Sequence, residues 1–520
     1  MRAGRRNYNS AARWVRYALV GAGLAGVFIP VAVLRIIDSD EGFYLLASKL
    51  VVAGKLPYFD FFYEQTPGLP YLYGAWGRLF GQTWIAGRAL SALLAVGLGL
   101  LLYRQVARLT TSVRLALVAA ALYAFSSLEL GWFTVTKTYV LSSLLTLVAL
   151  AILDDQRVQT KYRMSIPFVA GTLLGLAVDV RLLFLAVVPA FVVGILQGRQ
   201  PMRFRLTAGG YLLAGVALAL LPNLLLIRHG FSTFYFDNLG FHAVRSQSGL
   251  VGAWHQKLST IKHLLGLASP YQRMGLQFAM LLALNLVALA RTLSATRRVP
   301  TSFLVTFALG AVSILPTPTF EQYFSTAVPF MIINVMYLPS LGGLRRRPSH
   351  AVRRVGIAAM ALVSFVYVGA GVADAYSYTS SGRILSLPPE YTVSDWRIGT
   401  VTRISRAIHR YRVPGCPVLT WWPGYLVESG ATIFHGLEHE TADFTLRLSA
   451  QERLRYQVIS EVEIVQALSA RRAGIVVVGN LVDTASQRRY EQLLAQHGYS
   501  VRARVGRSWI FVVDGSCAHD

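Results

Sequence analysis

The chain has 520 residues, of which 54% are hydrophobic and only 14% are charged, and its mean hydropathy is +0.47. A soluble domain typically carries about 25% charged residues, so this composition excludes an ordinary soluble protein and indicates several passes through a membrane. The net charge of +25 does not indicate nucleic-acid binding, because the basic residues stand in short clusters between apolar runs, as the orientation rule for membrane helices requires. Membrane lipids are therefore expected partners, and nucleic acid is not.

The first apolar run covers residues 17–37 and follows a segment rich in arginine. At about 20 residues it is long enough to span a bilayer, and it is longer than the core of a cleaved signal peptide. We predict a retained first helix whose N-terminus lies in the cytoplasm. Further apolar runs bring the predicted total to about eleven spans, at 84–103, 115–130, 138–153, 165–178, 182–197, 207–227, 274–290, 301–316, 324–341 and 355–373.

The arginine clusters fall mainly on one side of the predicted spans, which is the side of the N-terminus. Loops rich in Lys and Arg stay in the cytoplasm, so this side is predicted to be cytoplasmic. An odd number of spans then puts the C-terminal region outside the plasma membrane. The predicted domains are a transmembrane domain over 1–373, with outward loops at 38–83 and 228–273, and an extracytoplasmic domain over 374–520.

Residues 374–520 are richer in charge, and their apolar runs shorten to the length of strands. We predict strands at 418–422, 475–479 and 508–514, which alternate with helices at 393–411, 450–470 and 484–497. This order predicts a small α/β layer domain. The predicted fold class is thus an all-α multi-spanning membrane domain joined to a small α/β domain.

Both cysteines, Cys416 and Cys517, belong to this C-terminal region. A disulfide between them would close a loop of about 100 residues and add about 4–5 kcal/mol in the chain-entropy model. Because sequence does not give the distance between them, two unpaired thiols remain the alternative.

Three carboxylates, Asp38, Asp40 and Glu41, follow the first span directly. Carboxylates beside a bilayer are costly to keep there and usually mark chemistry or ion binding. The alternative is that they cap the helix that follows, as acidic residues at a helix N-terminus often do.

Two short helices are predicted in the loop after these carboxylates. The first covers 43–52, with its apolar residues on one face, and suits a helix that lies in the membrane interface. Gly54 ends it. The second covers 67–80, is led by Pro67 and rich in aromatic residues, and closes at Gly81.

The order of these features, an acidic pair, a helix, the motif G-x-x-P-Y-x-D and a proline-led aromatic helix that ends in F-G, is carried by Asp40-Glu41, Gly54, Pro57-Tyr58, Asp60, Pro67, Phe80-Gly81 and Arg88. It resembles the C-type glycosyltransferase (GT-C) fold, and within it the superfamily of protein O-mannosyltransferases and aminoarabinose transferases. The motifs cover roughly the first 110 residues, and the architecture extends the resemblance along the chain. The aminoarabinose branch has a lysine before its proline pair, where this chain has Gln65-Thr66, so a phosphate-binding role is not carried over to this position.

The resemblance implies transfer of a sugar from a polyprenyl-phosphate donor to a hydroxyl of a glycan, lipid or protein acceptor on the outer face of the membrane. Such a transfer inverts the anomeric centre and needs one carboxylate base, because a lipid phosphate leaves without strong acid help. Asp40 is the candidate base, and Glu41 is expected to orient the acceptor or the base. Asp38 and Asp40 could together hold a divalent cation, which is the one cofactor left open.

The donor phosphate needs a cation, and two are candidates. Arg181 lies in the short turn VDVR, where the alternative is an ion pair with Asp179. Lys137, in TVTKTY, is the second candidate, with a similar alternative. Gln322 and Tyr323 stand at the mouth of a predicted span, where they contact the donor or anchor the helix in the interface.

The acceptor is expected to lie against the two outward loops. Candidates are Tyr58, Asp60 and Glu64 from the first loop, with His242 and Arg245, one helical turn apart, from the second. A transporter or flippase is the alternative function, but it would predict ionisable residues in mid-span and a repeat between two halves. The carboxylates collect in the loops instead. A non-catalytic scaffold would tolerate replacement of Asp40.

Overall fold

The computed structural model of the protein describes residues 2–155, 164–245, 249–269, 271–340, 350–383, 392–439 and 443–518. A bundle of helices forms the first part of the chain, and a small sheet with flanking helices forms the last part. The helices of the first half are α1 (Arg2–Leu34), α2 (Glu41–Val52), α3 (Gly68–Phe80), α4 (Trp84–Thr110), α5 (Val113–Ala124), α6 (Ser127–Trp132), α7 (Thr138–Leu153), α8 (Ser165–Val180), α9 (Val187–Leu196) and α10 (Met202–His229).

The second half of the bundle begins with short helical segments and ends with a long helix. It contains α11 (Phe231–Tyr235), a π-helical turn (Phe236–Gly240), α12 (Phe241–Arg245), α13 (Gly249–Leu264), α14 (Gln272–Thr296), α15 (Thr301–Ile314), α16 (Val328–Val335), α17 (Tyr337–Ser340) and α18 (His350–Ser380). Short 3-10 turns at Leu182–Ala186 and Glu321–Ala327 lead into α9 and α16. The predicted loop over 228–273 is therefore largely helical where it is described.

Each apolar run that was predicted to span the membrane contains helix. Within the part of the chain that the structure describes, five helices are long and apolar enough to cross a bilayer by length and composition, and five shorter apolar helices accompany them. The protein is a multi-pass membrane protein, while the number of eleven spans stays a prediction. The last long helix continues to Ser380, beyond the predicted start of the C-terminal domain at residue 374.

Helix α2 differs from its prediction as an interfacial helix. Residues 41–48 are all buried, so no face of this part is left for lipid. The cover is the C-terminal domain: a Cβ on Gly42 would lie 2.9 Å from Gly424 and from the indole nitrogen of Trp422, and Lys49 donates to the carbonyl of Leu426. The following helix, α3, exposes Leu79 and Phe80 and ends at Gly81, whose φ of +96° favours glycine.

Helices α8 and α10 pack backbone to backbone through glycines. A Cβ on Gly171 would collide with the carbonyl of Leu212, and one on Gly215 would collide with the carbonyl of Phe168. Small residues allow this close approach in membrane bundles, where packing rather than the hydrophobic effect holds helices together. The contact fixes α8, and Arg181 follows directly on the end of this helix.

The C-terminal domain contains a four-stranded sheet in the order β1 (Val418–Thr420), β2 (Ile475–Val478), β4 (Ser508–Val513), β3 (Tyr499–Val505). Strands β1 and β2 are parallel, with Val418 opposite Ile475, and the other pairs are antiparallel. Its helices are α19 (Ile398–Tyr411), α20 (Ala450–Arg455), α21 (Glu461–Ser469) and α22 (Thr484–Gln496).

The α/β prediction for this domain is confirmed, with two differences. The predicted helix over 450–470 is two helices, because Ser460 begins a second capping box that restarts the chain at α21. The edge strand β3 was missed. Cys416 and Cys517 form a disulfide, with their Cα atoms 6.1 Å apart, so the alternative of two free thiols is wrong.

Candidate active site

A cavity of about 600 Å³ lies between the bundle and the C-terminal domain. The end of α1, the start of α7 and the residue after α8 line it, together with the segments on either side of α14 and α15. A second cavity, of about 1100 Å³, is lined by the opposite ends of α1, α7, α14 and α15 and by several arginines. The cavity beside the C-terminal domain, which holds most of the predicted site residues, is the candidate active site.

The acidic loop between α1 and α2 is held from behind by one ion pair. The guanidinium of Arg88 binds both oxygens of Glu41, with Nε 2.9 Å from Oε2 and Nη2 2.6 Å from Oε1. Neither side chain is more than 1% exposed. Arg88 also donates to the carbonyls of Ala32, Arg35 and Ile36 and so caps the C-terminal end of α1. A bidentate pair of this kind fixes geometry as well as adding energy.

Glu41 passes this fixed geometry to its neighbours. Its carboxylate accepts the backbone N–H of Asp38 at 2.8 Å and that of Thr136 at 3.2 Å. Asp38 in turn accepts the backbone N–H of Asp40 at 3.2 Å. Glu41 does not line the cavity, so its expected contact with the acceptor is not seen. Its hydrogen bonds orient the loop that leads to Asp40 instead.

Lys137 lies between the two carboxylates that face the cavity. Its Nζ is 2.8 Å from Oδ1 of Asp38 and 2.8 Å from Oδ2 of Asp40, and the side chain is 2% exposed. Burial opposes the positive charge, but Asp38 and Asp40 outweigh it and hold the pKa of Lys137 well above its ordinary value. The two carboxylates therefore favour the charged form of Lys137.

This arrangement changes three expectations. The ammonium of Lys137 fills the space between Asp38 and Asp40, so the pair as arranged does not fit a divalent cation, and Lys137 faces carboxylates rather than a donor phosphate. Among the described residues, no group of three or more His, Cys, Asp or Glu side chains is placed to hold a metal. The capping alternative is not seen for Asp40, because its side chain makes no cap bond to α2, while Glu41 does lie in the first turn of that helix.

Arg181 faces the cavity between two tyrosine rings. Its guanidinium carbon is 4.7 Å from the ring centre of Tyr139 and 5.0 Å from that of Tyr323, and it donates to Thr138. The alternative pair with Asp179 is not formed, because Asp179 accepts from Asn223 instead. Gln322 lines the cavity beside Tyr323 and accepts from Lys137 at 3.4 Å.

Glu64 joins three parts of the chain at the opposite wall. Its carboxylate oxygens are 3.6 Å from Nη1 of Arg245 and 3.9 Å from Nε2 of His439, a residue of the C-terminal domain. Burial opposes the charge of Glu64, but the nearby imidazole of His439 and the charges of Arg245 and His242 outweigh it and lower its pKa to about 2. Burial lowers the pKa of His242, which lines the same wall.

Two expected acceptor residues lie away from the cavity. The hydroxyl of Tyr58 is turned inward and donates to the carbonyl of Gln65, and the side chain is buried. Asp60 is partly exposed, accepts from the backbone of Leu56 and pairs with Lys55. Both residues shape the turn after α2 and do not line this cavity, so their role in an acceptor groove stays a prediction that the cavity does not support.

Several lining residues were not predicted. Trp396 and His439 come from the C-terminal domain, and Tyr44, Trp132 and Tyr271 from the bundle. The pattern gave no signal for most of them, because isolated aromatic residues are common near membrane interfaces. Tyr139 is the exception: it follows Lys137 by two residues, at the start of a predicted span.

Comparison with known proteins agrees with this architecture. A sequence profile of the family described as dolichyl-phosphate-mannose-protein mannosyltransferase matches residues 64–226. No curated protein sequence matches the chain.

Two solved structures are similar over nearly the whole chain. ArnT from Cupriavidus metallidurans, bound to undecaprenyl phosphate, has a TM-score of 0.67 at 14% identity, and the match covers 98% of this chain and 99% of that one. The archaeal oligosaccharyltransferase AglB from Archaeoglobus fulgidus, in complex with an inhibitory peptide and a dolichol-phosphate, has a TM-score of 0.54 at 13% identity, with 96% and 74% covered. At these identities the similarity shows the fold, and the chain has the GT-C fold of multi-spanning membrane glycosyltransferases.

Proposed function

We propose that this protein transfers a sugar from a polyprenyl-phosphate-linked donor to an acceptor hydroxyl, with Asp40 as the base. The observation that carries the proposal is the cavity itself, in which a carboxylate on one wall faces a region with a tyrosine-flanked arginine on another. The profile match and the relatives that bind undecaprenyl phosphate or dolichol-phosphate support a donor of this class.

The proposed step needs one base and one cation. Asp40 takes the proton of the acceptor hydroxyl while the hydroxyl oxygen forms a bond to C1 of the sugar. The bond from C1 to the phosphate oxygen breaks, and its electron pair stays with that oxygen. Arg181 stabilises the negative charge on the phosphate, because a guanidinium matches phosphate oxygens with two donors. Attack opposite the leaving group inverts the anomeric centre.

The environment of Arg181 suits this role. Its planar group lies between the rings of Tyr139 and Tyr323 and one of its N–H groups donates to Thr138, which leaves the rest of its donor edge for a ligand. His242 and Arg245 add donors on the neighbouring wall, with the carboxylate of Glu64 fixing Arg245. Tyr323 and Gln322 extend the same wall toward Lys137.

We further propose that the cavity opens on the outer face of the plasma membrane. The second cavity, at the opposite ends of the same helices, contains Arg104, Arg108, Arg199 and Arg298. Basic residues of this density mark the cytoplasmic side of a membrane protein. The acceptor, a glycan, lipid or protein, then meets the donor outside the cell.

The test uses purified protein in proteoliposomes with a radiolabelled polyprenyl-phosphate sugar. The proposal expects labelled acceptor and free polyprenyl phosphate to appear together in equal amounts. Movement of the intact labelled lipid between leaflets without release of sugar would indicate a flippase instead. If no donor from a panel of polyprenyl-phosphate hexoses and pentoses is consumed with any acceptor fraction, the proposed function is wrong.

A further inference from the structure

Asp38 and Asp40, which are separated by one residue, both point into the cavity, and a lysine lies between their carboxylates. Asp38 and Asp40 present oxygens toward the same point, an arrangement that suits Mg²⁺ or Ca²⁺, whose oxygen ligands lie at about 2.0–2.6 Å. The point is filled by the ammonium of Lys137, which is 2.8 Å from each carboxylate. The ammonium group of Lys137 therefore occupies the position that a metal ion would need.

The hydrogen-bonding capacity of Lys137 is fully used in this position. An ammonium has three N–H donors and no acceptor. Three side-chain oxygens lie around it: one from Asp38, one from Asp40 and, at 3.4 Å, one from Gln322. No donor is left over for a phosphate, so Lys137 acts on the two carboxylates and not on the donor lipid.

Lys137 is also held from its own backbone. It stands directly before α7 in an extended conformation, and its N–H donates to the carbonyl of Val135 at 2.8 Å. The N–H of the preceding residue, Thr136, donates to Glu41, whose partner is Arg88. The lysine and the two carboxylates are therefore positioned by one continuous network.

We propose that Lys137 is a positioning residue that takes the place of a divalent cation and holds the carboxylate of Asp40 oriented for proton abstraction. This inference rests on the proposed role of Asp40. It implies that sugar transfer by this protein needs no divalent metal, and that the positive charge of residue 137, rather than its packing, sustains the rate.

The first experiment measures metal binding and metal dependence in the wild-type protein. Protein dialysed against EDTA is titrated with Mn²⁺ and followed by electron paramagnetic resonance. We expect that the wild-type protein shows no stoichiometric Mn²⁺ site at Asp38, so that Asp38→Asn changes nothing in the titration. We also expect that the transfer rate is the same before and after chelation. A stoichiometric Mn²⁺ site lost in Asp38→Asn, or a transfer rate that falls on chelation and returns with metal, would overturn the inference.

The second experiment separates the charge of Lys137 from its packing. We expect Lys137→Ala to lower the transfer rate about 100-fold, within the range of proton-transfer catalysis, and added ethylammonium to restore at least about tenfold of it. Lys55→Ala is the matched control, because Lys55 makes an exposed pair with Asp60 in the loop that follows α2. This substitution should not lower the transfer rate, and added ethylammonium should not change it. Lys137→Arg keeps the positive charge and serves as a second variant in case Lys137→Ala does not fold. It should retain measurable transfer without metal.

The outcomes are distinguishable from failure of the proposed function. If folded Lys137→Ala transfers at the wild-type rate, or if its loss is not restored by the amine while its thermal midpoint is unchanged, the inference is wrong. A wild-type protein that transfers no sugar removes the proposed function, and the Mn²⁺ titration then still decides whether lysine or metal fills the site.

Discussion

Asp40 and Glu41 are adjacent in the chain, yet they belong to two regions that differ in purpose. Glu41 and Arg88 form the buried pair, which is closed to the cavity on all sides. Asp38, Asp40 and Lys137 form the cavity cluster, which lines the open space. Asp40 is about one-third exposed, whereas Glu41 is fully buried.

The difference shows that two adjacent carboxylates of one motif have different roles. A bidentate, buried carboxylate is costly to desolvate and gains specificity of geometry more than net stability. It suits a residue that fixes a loop. A carboxylate with one lysine partner and one side open to a ligand can accept a proton from that ligand. The buried pair therefore holds the cavity cluster in place.

The largest expected effect on stability comes from breaking the buried pair. Glu41→Gln leaves the guanidinium of Arg88 buried without its counter-charge, which typically costs about 3–5 kcal/mol. Chemical denaturation in detergent micelles measures the free energy of unfolding. Asp60→Asn is the control, since its pair with Lys55 is exposed and should contribute less than about 1 kcal/mol. Equal losses in the two variants would mean that the buried pair does not hold the loop.

A smaller effect is expected from the cation on the other side of the cavity. Arg181→Gln keeps a polar group but removes the charge, and a hydrogen bond to a charged group is worth about 1.5–3 kcal/mol. We expect kcat/KM for the donor to fall about 10- to 150-fold, with no change in metal or amine response. Steady-state kinetics with varied donor checks this, and an unchanged kcat/KM would remove Arg181 from the phosphate site.

The smallest effect concerns the wall built around Glu64. Its folded pKa of about 2 lies below its ordinary value of 4.5, so its ionisation stabilises the folded state above pH 4.5 and this contribution is lost as the pH falls toward 2. The wild type should therefore have a higher thermal midpoint than Glu64→Gln. This difference should be largest above pH 5 and should shrink between pH 4.5 and 3. A difference that stays constant over this range would contradict the ion-pair role of Glu64.

The sequence was sufficient to predict the helices of the bundle, because long apolar runs have few alternatives in a membrane. It misassigned α2, since a half-apolar helix of this length looks interfacial unless the domain that covers it, some 380 residues later, is known. It missed β3, in which exposed arginines alternate along the strand at the edge of the sheet. Local pattern carries no information on such distant cover.

The site was predictable in part for the same reason. Asp40 and Arg181 stood out because a charge beside a membrane needs a partner or a ligand. The partner of Asp40 could not be predicted, because Lys137 lies far along the chain, in the segment just before α7, and only the fold brings the two together. Tyr58 and Asp60 belong to the motif that carries the resemblance, but the motif does not tell which of its residues face the cavity and which shape the turn.

The most direct test of the central claim compares Asp40→Asn with Glu41→Gln in two measurements, transfer rate and free energy of unfolding. We predict that Asp40→Asn lowers the transfer rate about 10²- to 10⁴-fold and costs less stability than Glu41→Gln, because Asp38 still pairs with Lys137. Undiminished transfer of labelled sugar from a polyprenyl-phosphate donor by folded Asp40→Asn would contradict it.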